Sequence, residues 1–217
     1  KELGLPTQET TRLKGTEELK KFLSKNDNVV VKHDIFRGDL ETLYSSDIKH
    51  SEQVIEDFEA KAGPFRKDMM FMAEETLEGV EPGFDLFHNG KGWLKPYLYG
   101  YEFKSGYIGK IDETLPSALK TVADGLDPYL QKIDYRGPFS SEVIIHKGVS
   151  YLIDYTARMP FPLSVAYTEL IDNYSDVIYK IACGEPVDLK MRGKYIGLLP
   201  LFSDYGKNHW LPIQVKP

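Results

Sequence analysis

The stretch SSEVIIHKGVSYLIDYTARMPFP, residues 140–162, limits the folds open to this chain more than any other segment. Two apolar runs flank Lys147-Gly148, so the segment reads as a β-hairpin whose alternate side chains go to opposite faces. With a three-residue loop of Lys147, Gly148 and Val149, His146 faces Ser150 and Glu142 falls opposite Asp154. Asp154, Thr156 and Arg158 alternate with Tyr151, Ile153, Tyr155 and Ala157, which puts two acids, a hydroxyl and a guanidinium on one face. Paired β-carbons stand roughly 4.5–5.5 Å apart, so two ionised carboxylates there need a cation. One or two carboxylates with substrate phosphates are how Mg²⁺ is usually held, and an arginine beside them suits a phosphate. The same residues also fit a solvated sheet face carrying an Asp154–Arg158 ion pair.

The rest of the chain alternates helix and strand signals, without repeats or low-complexity tracts. GTEELKKFLSK has acids in its first turn, lysines in its last, and Leu19, Phe22 and Leu23 on one face, as a short surface helix does. VVVK reads as a buried strand that delivers Lys32 at its end. A second helix is expected from about Ser51 to Ala62, stopping at Gly63-Pro64, and MMFMAEE as a strand. Gly and Pro in TLEGVEPG suggest a linker between lobes. FDLFHNGKGWLKPYLYGYEF looks like two strands around an Asn89-Gly90 turn, and residues 116–132 like a helix. Ser164 can cap a long helix ending at Cys183-Gly184. The sum is a mixed α+β chain of two lobes hinged near residues 74–81: a first lobe over 1–73, a second over 74–190, and a tail over 191–217 that is irregular or short strand.

Composition excludes several functions. The net charge of -6 gives no general attraction to nucleic acid or an anionic membrane. The single cysteine, Cys183, can form neither an internal disulfide nor a Cys-rich zinc site, which favours a reducing, cytoplasmic setting. No apolar run approaches the roughly 18–20 residues of a membrane span.

VVVK, FMAEETLEGVE and the hairpin segment, in that order and at those separations, resemble the motifs of the ATP-grasp superfamily, and are similar to its glycinamide ribonucleotide synthetase (phosphoribosylamine–glycine ligase) branch. The likeness runs from LGLPTQETTRLKGTEELKKFL to about Pro186. It implies an ATP-grasp fold, two lobes clasping Mg-ATP between them. It makes Lys32 a ligand of the ATP phosphates, though a lysine ending a buried strand can equally just surface to solvent. It makes Glu74, Glu75, Thr76 and Leu77 the linker that lines adenine through backbone groups, and Glu81 the acceptor for the ribose hydroxyls; a solvated acidic loop is the alternative for this segment. Lys104 matches an ATP-binding lysine of the synthetase branch, or is surface-exposed. Glu142 and Asp154 match the two metal carboxylates, with Thr156 as third ligand, and Arg158 the basic residue after them.

The chain departs from the family in three places. Asp154-Tyr155-Thr156 stands where Glu-x-Asn is common, with a shorter acid and a weaker ligand. The phosphate loop HDIFRGDLETLYSSD has Gly38 alone, and Arg37 can supply charge in place of backbone amides. The sequence also begins where relatives have already completed an N-terminal domain that helps hold the acid or amine substrate, so the expectation is either a fragment, with that domain or a partner chain absent here, or an unusual acceptor site. The resemblance implies an ATP-dependent carboxylate–amine ligase that works through an acyl phosphate, with Lys32 and Arg158 neutralising charge beside Mg²⁺. The alternative is a nucleotide-binding module that holds ATP without ligating anything, or that needs another chain to do so.

Overall fold

The computed structural model describes residues 3–33, 43–45, 48–103, 106–200, 204–205 and 209. The chain forms two compact units, one of residues 7–79 and one of residues 1–6 with 80–217. Helices and antiparallel sheets make it α+β, as expected. Among the described residues no helix is long and apolar enough to cross a membrane.

The 7–79 unit is a four-stranded sheet in the order β1 (Thr10–Lys14), β4 (Met70–Glu75), β2 (Val29–His33), β3 (Leu43–Ser45). Helices α1 (Gly15–Leu23) and α2 (Ile48–Ala62) belong to the same unit. In α1 the acids Glu17 and Glu18 and the lysines Lys20 and Lys21 complement the helix dipole, and Leu19 and Leu23 are buried one turn apart. Ile55, Phe58 and Ala62 of α2 join them against Leu13, Val29, Val31, Phe71 and Ala73 of the sheet. Period two then puts Thr10, Arg12, Val30, Lys32, Met70, Met72 and Glu74 on the sheet's other face.

The larger unit is a six-stranded antiparallel sheet, β10 (Tyr195–Leu198), β7 (Gly106–Asp112), β6 (Tyr97–Phe103), β5 (Gly83–Asn89), β8 (Arg136–His146), β9 (Val149–Thr156). The apolar side chains Leu119, Val122, Leu126 and Leu130 of α3 (Ser117–Lys132) pack on one face of it, against Phe84, Leu86 and Phe139. Part of the other face, Phe87, Leu98 and Ile111, is covered by α4 (Tyr167–Leu170) and α5 (Tyr174–Cys183) through Tyr167, Leu170, Val177 and Ile181. The uncovered part of that face is polar.

Three local expectations need correction. The long helix from Ser164 is broken. A 3₁₀ turn at Leu163–Ala166 contains Ser164, which caps nothing, and α4 and α5 follow with Ile171, Asp172 and Asn173 between them. Tertiary bonds hold those residues out of the helix: Ile171 bridges to Met191, Asp172 N–H donates to the Lys190 carbonyl (2.8 Å), and the Asn173 side chain bonds both Asp188 O and Lys190 N–H. The Asn89-Gly90 turn is a wider loop, because the Asn89 side chain accepts from the N–H groups of Lys91 and Gly92 and His88 bridges to Trp93. The β8–β9 loop has two residues, Lys147 and Gly148 (φ +48° and +79°), so His146 faces Val149 rather than Ser150. An irregularity between Glu142 and Val143 then skips Ile153, and Glu142 still pairs with Asp154.

Candidate functional site

Among the described residues, each unit carries a concavity with charged side chains in its lining. In the 7–79 unit the register Arg12↔Met72↔Lys32 runs straight across β1, β4 and β2, so Arg12 and Lys32 flank Met72 on the face away from the core. With His33, Met70 and Phe71 they line a cleft of about 270 Å³. Lys32 Nζ stands 3.0 Å from Glu74 Oε2, a part-buried ion pair that lacks the angular geometry of a hydrogen bond. Sequence reasoning missed Arg12; the alternation of TTRLK about the buried Leu13 was the signal that could have found it.

The stretch read as a linker is partly strand. Glu74 and Glu75 end β4, and the Glu74 side chain is buried. Glu75 N–H donates to Glu9 O (3.0 Å) and Thr76 N–H to Asn28 O (3.3 Å), so Leu77 is the first residue of the four past these two bonds. Arg37 lies outside the described residues.

In the larger unit a single cross-strand row holds Asp154, Glu142, Gly83, Gly100 and Gly109, on the part of the sheet face that the helices leave open. The next row toward Asp85 pairs Thr156 with Ser140 and Ser140 with Asp85. Glu81, Asp85, Glu102 and Glu142 line a cleft of about 180 Å³ together with Tyr107, Ser140 and Ser141. No lysine or arginine lines it among the described residues; Lys104 lies outside them. Asp154 and Thr156 stand beside the lining, on β9, and the Asp154 carboxylate accepts the Tyr155 N–H (2.8 Å). Arg158 follows the strand, is exposed, and donates to the Met159 carbonyl (2.9 Å). The structure therefore brings Glu81 and Glu142 together and adds Asp85 and Glu102, which sequence reasoning did not single out.

These acids strain against one another. Burial pushes the Asp85 carboxyl up to about 6, against the opposing pull of hydrogen bonds from Ser140 and Tyr107, and the charge of Glu102 adds to the rise. Tyr107 O–H donates to Asp85 Oδ2 at 2.8 Å, and burial followed by Asp85's charge holds the phenol far above its ordinary value. Partial desolvation raises Glu81, and raises Glu102 together with Glu81's charge. An all-oxygen set of this kind fits a hard divalent cation such as Mg²⁺. Among the described residues no three His, Cys, Asp or Glu side chains group closely enough to hold an ion unaided. Glu142, Asp154 and Thr156 would thus supply part of a coordination shell, with phosphate oxygens or water completing it.

No family model and no curated protein matches this chain. Solved structures do match its fold. Phosphoribosylamine–glycine ligase from Thermotoga maritima superposes with a TM-score of 0.68 at 20% identity, over 89% of this chain and 54% of that one. The biotin carboxylase domain of Hydrogenobacter thermophilus 2-oxoglutarate carboxylase, solved with MgADP and bicarbonate, gives 0.62 at 18% identity over 89% and 46%. A RimK-domain ATP-grasp protein from Sphaerobacter thermophilus gives 0.56 at 12% over 83% and 62%. The chain spans about half the length of the first two.

Proposed function

We propose, from the premise that this chain has the ATP-grasp fold, that it is the nucleotide-binding part of an ATP-dependent carboxylate–amine ligase of the phosphoribosylamine–glycine ligase type. The observation that carries the proposal is the Glu142↔Asp154 pairing on an acid-lined sheet face. Lys32 and Arg12 would engage the phosphates as cations, and Arg37 and Lys104 would add to them. Glu81 would accept from the ribose hydroxyls, which suits an acid already partly desolvated. The backbone of residues 74–77 would take adenine, through carbonyls and Leu77 given the bonds that Glu75 and Thr76 already make. Glu142, Asp154 and Thr156 would hold Mg²⁺, which when bound screens the charge of the phosphate chain.

In the reaction a substrate carboxylate oxygen attacks the γ-phosphorus and ADP leaves. The resulting acyl phosphate is attacked at carbon by an amine, which gives up a proton as phosphate departs. A carboxylate is a poor electrophile, and turning one oxygen into a phosphate leaving group makes amide formation feasible. The chain's own contribution is to position the groups and to set Lys32 and Arg158 against the negative charge of the transferred phosphoryl group. Screening ADP release from Mg-ATP across pooled carboxylates and amines tests the proposal. Release that depends on both a carboxylate and an amine, and is lost in Glu142→Gln, is the expected result. Mg-ATP binding without turnover on any pool would leave the non-catalytic nucleotide module.

A further inference from the structure

Beneath the acid cleft of the larger unit the polar groups continue inward. Asp85 lines the cleft, is 6% exposed, and accepts hydrogen bonds from the Tyr107 hydroxyl (2.8 Å) and from Ser140. Tyr167 of α4 is 1% exposed and belongs to the same buried cluster as Tyr107 and Phe87, and Phe87 follows Asp85 on the same face of β5. The Phe87 and Tyr167 ring centroids stand 5.3 Å apart. Burial, and after it the charge of Asp85, hold the Tyr167 phenol well above its ordinary value, and Tyr167 adds to the rise at Tyr107. Tyr167 therefore lies within electrostatic reach of both. Yet its hydroxyl has no hydrogen-bond partner among the described residues. The neighbouring Tyr174 supplies none, since its hydroxyl donates to Met159 Sδ (3.5 Å).

Folded chains satisfy nearly all their buried polar groups, and an internal water with two to four polar neighbours is a common way to do it. The neighbours are present here. An ionised carboxylate accepts about four hydrogen bonds, more than Tyr107 and Ser140 give to Asp85. The Tyr107 oxygen donates its own proton to Asp85 and can still accept one. We infer that one buried water joins the Tyr167 hydroxyl to the Asp85 carboxylate, which makes Tyr167 a positioning residue for the floor of the acid cleft. The link ties α4, and the segment running from Arg158 into it, to β5, and gives the ionised form of Asp85 a further donor. It holds for any ligand of the cleft and does not rest on the nucleotide role proposed above. Among the described residues the titratable groups around Asp85 are Tyr107 of β7, Glu102 of β6, Glu142 of β8, Glu81 just before β5 and Tyr167 of α4.

Tyr167→Phe in the full chain tests the link by the sign of its effect. Denaturant unfolding at pH 8, where Asp85 is ionised, should show a folding constant lowered on the order of tenfold. A smaller loss is expected at pH 4.5, where Asp85 is protonated. A variant as stable as the wild type at pH 8, or more stable, overturns the inference, because deleting a hydroxyl that bonds nothing removes a defect. ¹³C NMR of the Asp85 carboxyl supplies a readout that a merely structural role would not move. Losing a donor to the charged form should raise its titration midpoint above the wild-type value of about 6, by about half a pH unit or more; an unchanged midpoint overturns the link. Should the variant fail to fold, a crystal structure of the unaltered chain that resolves ordered waters decides the matter. A water within hydrogen-bond distance of both Tyr167 Oη and Asp85 is expected, and a direct Tyr167–Asp85 bond or no water between them overturns it.

Discussion

Asp85 ties stability to pH. Its carboxyl sits at about 6 in the folded chain against an ordinary 3.8, because burial disfavours the charged form more than Tyr107 and Ser140 favour it. The folded state therefore holds this proton more tightly than the unfolded state. The resulting stabilisation is full below about pH 4 and is lost as pH rises through about 6, a change of about 3 kcal/mol. Asp85→Asn keeps an acceptor for the Tyr107 hydroxyl and removes the charge, so denaturant melts at pH 5 and pH 8 should show a flatter pH dependence and a gain of up to about 3 kcal/mol at pH 8. A variant less stable than the wild type at pH 8 would contradict this account. For the facing pair, Glu142→Gln and Asp154→Asn should each leave the apo protein as stable or slightly more so, since like charges opposite one another repel, while Mg-ATP binding falls sharply. The competing idea of an exposed Asp154–Arg158 pair expects Asp154→Asn to lose up to roughly 1 kcal/mol with nucleotide affinity unchanged. Melting curves with and without Mg-ATP separate the two.

Among the elements, the six-stranded sheet owes its open polar face to glycine. Gly83, Gly100 and Gly109 continue the row that starts with Asp154 and Glu142, so beside the acid pair three successive strands present no side chain. A β-carbon at Gly100 would lie 2.0 Å from the Ile108 carbonyl oxygen, and at Gly83 2.3 Å from that of Ser141. Backbone within a ladder cannot yield as a side-chain tip can. Gly100→Ala should thus cost on the order of 2 kcal/mol or more in equilibrium unfolding, whereas Gly197→Ala on the edge strand β10, with nothing within 4 Å of the new carbon, should stay within about 0.5 kcal/mol. Equal effects at the two sites would show that the close approach at Gly100 does not govern the sheet.

For the molecule as a whole, ligand binding should appear as stability. Mg-ATP at a hundredfold excess over its dissociation constant should stabilise the chain by about 2.7 kcal/mol, and chelating the metal should remove most of that gain if Glu142 and Asp154 act through Mg²⁺. ATP should be preferred to GTP, because the two purine edges present opposite donors and acceptors to the same backbone groups. Thermal shifts with the two nucleotides, each with and without EDTA, check both statements; no shift with either, or equal affinity for both, would count against the nucleotide site or against adenine recognition respectively.

Features that depend only on near neighbours along the chain could be read from the residues. Period two around Lys147-Gly148 was enough to make a hairpin and to set Glu142 against Asp154, and the pairing survived a wrong loop length because the skipped Ile153 restores what a two-residue turn shifts by one. The acids and lysines of α1 and the turn at Gly184 were legible for the same reason, each being decided within one or two helical turns. Which strands lie side by side, and with it everything that depends on a cross-strand neighbour, follows from long-range packing. Arg12 becomes a partner of Lys32 only because β4 separates β1 from β2, and Asp85 and Glu102 reach the acid pair only because β5 lies between β6 and β8. The helix expected from Ser164 was favoured locally but broken at residues 171–173, where strand-like bonds to residues 188–191 outweighed three more residues of helix. Local propensity is set by a few tenths of a kcal/mol per residue, and the burial and hydrogen bonds that a distant segment supplies are larger than that.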